Sequence, residues 1–160
     1  MRKTASRLGA LLLALCAAVA HADEPAAAPA ELKFRDFFAL PIGPVGLTPS
    51  ARLLSLAGQR VRVVGYMARQ EQSAPGIVIL APLPVVLGDE DESFADDLPA
   101  ATLYVHLPEA ERARSVGYTP GLVAFSGVLQ LGALNEADGR VSFVRLLLDA
   151  VSPQALAASR

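Results

Sequence analysis

The stretch that decides the fold is residues 56–67, which read L-A-G-Q-R-V-R-V-V-G-Y-M. Its charged and apolar side chains alternate, with Val61 and Val63 on one face, and this period of two predicts a β-strand over Arg60–Ala68. Gly65 interrupts the strand where a side chain would obstruct a sharp bend. A bent first strand is typical of a small barrel, because both halves of the sheet share it.

Four further strands follow. A short apolar run predicts the second strand, and alternating patterns predict most of the rest. In chain order the five strands are Arg60–Ala68, Gly76–Ala81, Ala101–Leu107, Gly121–Leu131 and Arg140–Val151. Gly127 is a second position at which a strand can bend. We therefore predict a mainly β domain folded as a five-stranded OB-like Greek-key barrel with short helices, and the alternative is an open antiparallel sheet capped by a helix.

Two short helices and one Pro/Gly segment accompany these strands. Thr48-Pro49-Ser50 offers an N-cap with proline at the first helical position, and Gly58 can end that helix. Residues 108–115 begin with proline and carry acids early and arginines late, which predicts a short solvated helix between the third and fourth strands. The segment Leu40–Gly46 cannot form a helix interior, and we expect it to wrap over the core as extended chain.

The first 22 residues have the pattern of a signal peptide. Three basic residues, Arg2, Lys3 and Arg7, precede the apolar segment Leu8–Val19, and a small-x-small cleavage site ends at Ala22. Cleavage there leaves 11 Lys+Arg against 16 Asp+Glu, so the formal charge of −2 becomes −5. The predicted organisation is a signal peptide at 1–22, a flexible tether at 23–31, one OB-like β domain at 32–151 and a C-terminal tail at 152–160.

The single cysteine bears on localisation. Cys16 lies inside the signal segment, so the mature chain would have no thiol. Leu15 occupies a position where a lipoprotein signal needs a small residue, and cleavage near Ala22 is therefore favoured over lipidation at Cys16. We expect a periplasmic or secreted protein with no transmembrane segment in its mature chain.

The sharpest local feature is an acidic segment between the second and third strands. Its oxygen ligands would suit Ca²⁺, although Phe94 and Ala100 stand where an EF-hand needs glycine and glutamate. His106 could add a nitrogen ligand for Zn²⁺, but one imidazole does not make a zinc site. A solvated loop held open by like-charge repulsion is the simpler interpretation, and it needs no cofactor. The metal-binding alternative, with Ca or Zn, would use Asp89, Asp91, Asp96, Asp97 and His106.

The sequence carries no pattern typical of a catalytic centre. Ser126 lacks the glycine two residues earlier that a nucleophile elbow requires. Asp96 and Asp97 are neighbours, so in extended chain they would point to opposite faces. Glycine-rich phosphate-binding loops are also missing from the sequence. We expect that the protein is not an enzyme.

Nucleic acid is disfavoured as a partner. Arginines on the first and fifth strands could form a basic stripe, and two tyrosines could stack on bases. The acidic net charge argues against that function, and salt-bridged strand edges are the favoured interpretation. The residues concerned are Arg60, Arg62, Arg69, Arg140, Arg145, Tyr66 and Tyr104.

Three motifs carry a resemblance to a known family. Residues 56–67 follow L-x-G-x-x-V-x-x-x-G-[YF]-[MV], an apolar L-x-P strand follows at Ile77–Pro82, and a strand similar to V-Y-V-x-L lies at Ala101–Leu107. In these motifs the chain resembles a family of exported proteobacterial proteins of unknown function. The resemblance implies an accessory role in envelope transport, with an envelope protein or transporter component as partner. Related chains carry a cysteine and a His-Pro-rich segment where this one has residues 83–88 and then acids, so no thiol or metal role transfers.

The resulting hypothesis is a non-enzymatic periplasmic binding or accessory module for a protein partner or small ligand. The alternative is a divalent-cation-binding protein that uses the acidic loop 89–97. Tyr66, Met67 and Tyr104 are the candidate exposed contact residues, and core packing is the other role open to them.

Overall fold

A computed structural model describes residues 28–71, 73–88 and 98–148. The domain is mainly β, and its principal sheet is mixed and has six strands. The strands are β1 (Ala30–Glu31), β2 (Arg60–Met67), β3 (Arg69–Gln70), β4 (Ile77–Ala81), β5 (Val86–Leu87), β6 (Leu103–His106), β7 (Leu122–Asn135) and β8 (Val141–Leu148). The helical elements within these ranges are α1 (Ala51–Ser55) and 3-10 turns at Phe34–Asp36 and Glu109–Glu111.

The five longer strands form a partly closed ring. Their hydrogen-bonded order is β2-β4-β6-β8-β7, and β7 pairs back onto β2. β6 and β8 run parallel, whereas the other neighbours around the ring are antiparallel. If the five long strands are numbered 1 to 5 in chain order, their order around the ring is 1-2-3-5-4-1. This is the strand order of a Greek-key OB-like barrel. The predicted fold is confirmed, and the open antiparallel sheet is wrong because the sheet is mixed and β7 returns to β2.

Two glycines of the ring, Gly65 and Gly127, lie where neighbouring groups approach the backbone closely. A Cβ at Gly65 would strike the ring of Phe34 and come 2.8 Å from the carbonyl oxygen of Ala81. A Cβ at Gly127 would strike the backbone carbonyl of Leu147. The structure therefore has close backbone contacts at both positions that the sequence marked for a bend, and neither leaves room for a side chain.

The main core fills the barrel and is closed at one end by α1. Alternation along β2 places Val61 and Val63 inside, and α1 contributes Leu53 and Leu56. Ser50 caps this helix, because its Oγ accepts a hydrogen bond from the Leu53 N–H at 2.9 Å. The helix therefore begins two residues later than Thr48-Pro49-Ser50 suggested, since Pro49 forms an extended bridge with Phe38.

Two other boundaries differ from the expectations. Only Glu109–Glu111 of the helix predicted at 108–115 is helical, because the following backbone turns away and the Arg114 carbonyl accepts a bond from the Gly76 N–H at 2.8 Å. The tether predicted at 23–31 overlaps β1, where Ala30 and Glu31 pair in parallel with β2. The predicted signal peptide and the C-terminal tail lie outside the described residues.

A smaller apolar cluster covers the outer face of β4 and β6. The excursion between β2 and β6 folds back so that β3 and β5 pair in parallel. The members of this smaller cluster come from the residue after β2 and from β4, β5 and β6: Ala68, Ile77, Ile79, Leu87 and Tyr104. This second layer explains why every residue of β4 is buried, as its short apolar run indicated.

Candidate functional site

Residues 39–48 leave the barrel as a short loop that we call the apolar hairpin. The Ala39 N–H donates to the Thr48 carbonyl at 2.9 Å, and the Gly46 N–H donates to the Gly43 carbonyl at 3.0 Å. Gly46 has a φ of 86°, a conformation that glycine adopts without a steric penalty. The two arms therefore bond to each other and close the hairpin on itself.

The apolar hairpin presents its aliphatic side chains to solvent. Leu40 is 76% exposed and Val45 is 83% exposed, and Ile42 and Leu47 are also exposed. The expectation that Leu40–Gly46 wraps over the core is wrong, because its arms pair with each other. Exposed aliphatic side chains that follow one another so closely are uncommon on the surface of monomeric proteins.

The base of the apolar hairpin is anchored in the core. Phe37 is fully buried, and its ring lies 5.1 Å from the ring of Phe34, measured between centroids. The Ser50 N–H donates to the Phe37 carbonyl at 3.0 Å, and the Ser50 hydroxyl donates to the Asp36 carbonyl. The exposed arms therefore extend from a base that is fixed to the barrel by packing and hydrogen bonds.

Charges flank the apolar hairpin without entering it. No charged residue occurs between Asp36 and Arg52. Lys33, Arg35 and Arg52, which we call the basic collar, lie in the segments that enter and leave the hairpin, and all three are exposed. The Arg52 Nη2 donates to the Glu31 carbonyl at 3.2 Å, which ties α1 to β1. The uncharged apolar hairpin is therefore bordered by cationic side chains at its base.

A second unusual region, which we call the polar cluster, comprises His106, Glu136, Ser142 and Arg145. His106 Nε2 lies 3.1 Å from Glu136 Oε1, and the Ser142 hydroxyl donates to that same oxygen. Arg145 Nη1 donates to Ser142 Oγ at 3.0 Å and to the Gly132 carbonyl at 2.6 Å. The cluster joins β6 to the β7–β8 hairpin through buried hydrogen bonds.

The β7–β8 hairpin places Glu136 in this cluster. A register shift between Leu131 and Leu134 bends β7, and the turn that follows is closed by the Gly139 N–H donating to the Glu136 carbonyl at 3.0 Å. Asp138 Oδ1 accepts a hydrogen bond from the Arg140 N–H at 3.0 Å within the same turn. The bulge and the turn together bring a carboxylate from the hairpin over the end of β6.

The geometry of the polar cluster does not match a nucleophile and its base. Ser142 and His106 both contact the carboxylate of Glu136, whereas a Ser-His-acid triad needs the histidine between the other two. Ser142 is only 1% exposed, so a substrate cannot reach its hydroxyl in this conformation. What the cluster does show is a set of hydrogen bonds between strands.

Tyr104 lies beside the polar cluster and has a perturbed pKa. Burial raises the pKa of its phenol to about 12, and the carboxylates of Asp138 and Glu136 act in the same direction. The nearby Arg140 guanidinium opposes the shift. The phenol is therefore held in its neutral form well into alkaline pH.

The candidate contact residues do not form one exposed patch. Met67 is buried in the main core, and Tyr104 is buried in the second cluster under β3 and β5. Tyr66 is half-buried on β2. Met67 and Tyr104 therefore take the core-packing role that the sequence left open to them.

Of the five predicted metal ligands, His106 alone lies among the described residues. Asp89, Asp91, Asp96 and Asp97 lie outside the described residues. His106 is half-buried and engaged with Glu136. Within 28–71, 73–88 and 98–148, no group of three or more His, Cys, Asp or Glu side chains is placed to hold a metal ion.

The strand arginines do not form a continuous basic stripe. Arg145 is buried, and Arg62 Nη1 lies 3.7 Å from Glu31 Oε1. Arg140 Nη1 lies 3.3 Å from Asp138 Oδ2. These ion pairs fit the interpretation of salt-bridged strand edges.

Sequence reasoning missed both the apolar hairpin as a surface and the polar cluster. The hairpin had a signal, since fifteen consecutive residues without a charge, 37–51, include four large aliphatic side chains and three prolines. The polar cluster had none, because Glu136 lies 30 residues from His106 in the chain and only the bulge of β7 brings them together.

The chain has a distant structural likeness among known proteins. No family model matches the chain, and no curated protein matches it. Among solved structures, the chain is similar to a DUF3299 family protein from Pseudomonas aeruginosa, with 13% sequence identity and a TM-score of 0.44. The match covers 76% of this chain and 93% of the other. A likeness this distant carries no argument about function. In the part of the chain that the structure describes, no helix is long and apolar enough to cross a membrane.

Proposed function

We propose that this protein is a non-enzymatic binding module of the cell envelope that docks on a partner through the apolar hairpin. The observation that carries the proposal is the exposure of Leu40, Ile42, Val45 and Leu47 on a hairpin with a buried, hydrogen-bonded base. Moving one such side chain fully out of water is favourable by about 1.5–3 kcal/mol before the costs of association, so four of them form a substantial contact.

The shape of the hairpin favours a large partner over a small ligand. Small-molecule sites are concave and enclose most of the ligand surface. The apolar hairpin projects from the barrel and pairs only with itself, so it suits insertion into another surface. The envelope location rests on the signal pattern at residues 1–22, and the accessory role in transport rests on the family resemblance.

The non-enzymatic part of the proposal is supported by the polar cluster. Its serine is buried, and its histidine and serine both contact the carboxylate instead of each other. The cation-binding alternative gains no support from the described part of the chain, because Glu136 already occupies His106 Nε2.

Photocrosslinking tests this proposal directly. A photoreactive p-benzoylphenylalanine replaces Val45 in the full chain, expressed in its native cells, and the matched control carries it at Phe143, which is 64% exposed on β8. Because benzophenone reacts with C–H bonds of proteins and lipids alike, mass spectrometry of the adducts detects either class of partner. We expect adducts at position 45 and few at position 143. Equal labelling at the two positions, or none at position 45, would contradict the proposal.

A further inference from the structure

We infer that the partner of the apolar hairpin is an anionic lipid surface, into which the hairpin inserts while the basic collar contacts the headgroups. This inference rests on the proposed function and names the chemistry of its partner. Two features of the described residues carry it, the kind of side chain on the hairpin and the charge around its base, and the state of its backbone limits the depth of insertion.

The side chains of the apolar hairpin suit hydrocarbon better than a protein interface. The residues that dominate protein–protein contacts are Trp, Tyr and Arg, supported by polar groups that fix the geometry. Between Ala39 and Leu47 the hairpin carries only aliphatic residues, proline and glycine. Such side chains can be buried without specific hydrogen bonds, and the acyl chains of a lipid bilayer provide an environment of that kind.

The backbone of the hairpin limits how deeply it can insert. Unsatisfied N–H groups are costly in the hydrocarbon core. Pro41 and Pro44 have no N–H group, and the N–H groups of Ala39 and Gly46 donate within the hairpin, whereas the other N–H groups between Ala39 and Leu47 have no partner there. The hairpin therefore inserts at the interface, where headgroups and water accept these hydrogen bonds, and its aliphatic side chains reach the acyl boundary.

The charge around the base complements an anionic membrane. The collar residues Lys33, Arg35 and Arg52 flank the hairpin on both sides in sequence. With Arg62 included, cations outnumber the carboxylates of Glu31 and Asp36 by four to two, although the whole chain has a formal charge of −2. An apolar insertion bordered by Lys and Arg is the combination by which peripheral proteins bind anionic lipid, since headgroup attraction acts over about one Debye length.

A local fluorescence probe tests the inference. The full chain carries Cys16→Ser, so that Val45→Cys is its sole thiol and takes an environment-sensitive fluorophore. The control protein carries the label at Phe143→Cys instead. A local probe is needed because the apolar segment 8–19 would carry the whole chain to lipid by itself. The vesicles contain phosphatidylglycerol and phosphatidylcholine in equal parts, or phosphatidylcholine alone.

We expect a blue shift of the label at position 45 on anionic vesicles and none at position 143. Leu40→Ser with Leu47→Ser should lower the ratio of inserted to free hairpin roughly tenfold or more. Lys33→Gln with Arg35→Gln should lower it on anionic vesicles and leave it unchanged on neutral ones, since only the former supply opposite charge.

An unshifted label at position 45, or equal shifts at positions 45 and 143, would overturn the inference. If the label stays in water while the photoreactive residue at Val45 forms protein adducts, the lipid inference fails and the proposed binding function stands. If neither experiment detects a partner at the hairpin, both fail.

Discussion

The apolar hairpin and the polar cluster invert the usual distribution of side chains. The hairpin holds aliphatic residues in water, whereas the cluster holds a carboxylate, an arginine and a hydroxyl inside the protein. Exposed aliphatic groups add little to folding stability, while buried charged groups are stable only if their partners remain in place. The exposed aliphatic surface and the buried polar groups that hold strands together are therefore separate in this molecule. Three experiments test that separation.

The largest effect is expected at the centre of the polar cluster. Glu136→Ala removes the oxygen that His106 and Ser142 both contact. It also removes the negative charge nearest to Arg145 in this hydrogen-bonded chain, in which Ser142 connects the two residues. We expect the free energy of unfolding to fall by about 3 kcal/mol or more, measured by urea denaturation. Glu136→Gln retains an acceptor oxygen and should cost less.

The matched control is an exposed acidic residue. Glu109→Ala breaks an ion pair with Arg112 that spans 2.8 Å at the surface, and it should cost less than about 0.5 kcal/mol. An equally small loss for Glu136→Ala would show that the cluster does not stabilise the fold.

The second effect is a loss of folding stability at alkaline pH, caused by ionisation of Tyr104. Because its pKa is raised from 10.0 to about 12 in the folded state, the unfolded chain releases the phenol proton first as the pH rises. The stabilisation from the neutral phenol is complete below pH 10 and is lost as the pH rises through about 12, with a maximum loss of at most about 3 kcal/mol. Urea denaturation at several pH values between about 9 and 12 measures the slope of the unfolding free energy against pH.

Tyr104→Phe provides the test of that assignment. The phenylalanine variant should lose less stability than the wild type over the same alkaline range, because it has no phenol to ionise. Tyr118→Phe, at an exposed tyrosine, should leave the slope as it is. Identical slopes for Tyr104→Phe and the wild type would refute the role of the buried phenol.

The smallest effect on stability is expected at the apolar hairpin. Leu40→Ser with Val45→Ser should change the free energy of unfolding by no more than about 0.5 kcal/mol, since both side chains are already in water. Phe37→Ala, at the buried base, should cost about 3–5 kcal/mol in the same assay. A large loss for the serine variant would mean that the hairpin packs against the barrel and is not a free surface.

Much of the fold could be predicted from local pattern. Alternation and one short apolar run located the five long strands to within a few residues, and Gly65 and Gly127 marked two places of close backbone approach. β1, β3 and β5 were missed because two residues are too few to show a period of two. The 3-10 turn at Glu109–Glu111 was overestimated as a helix, since its favourable charge order could not reveal that Arg114 bonds to Gly76.

The candidate sites were harder to predict than the strands. Met67 and Tyr104 were plausible as exposed residues on a strand, but the excursion through β3 and β5 covers the outer face that Tyr104 occupies. His106 was considered as a metal ligand, and the structure pairs it with a carboxylate from a distant hairpin. Side-chain environment depends on these non-local contacts, which no local period encodes.

Local sequence specifies a mainly β chain with five long strands, because backbone preference and side-chain alternation act over a few neighbouring residues. It also contained the uncharged run at 37–51, whose composition is independent of any fold. The structure adds that this run turns back on itself and stays in water, and that Glu136 meets His106 and Ser142. The first outcome depends on the burial of Phe37 at the base of the hairpin, and the second depends on the pairing of β8 with both β6 and β7.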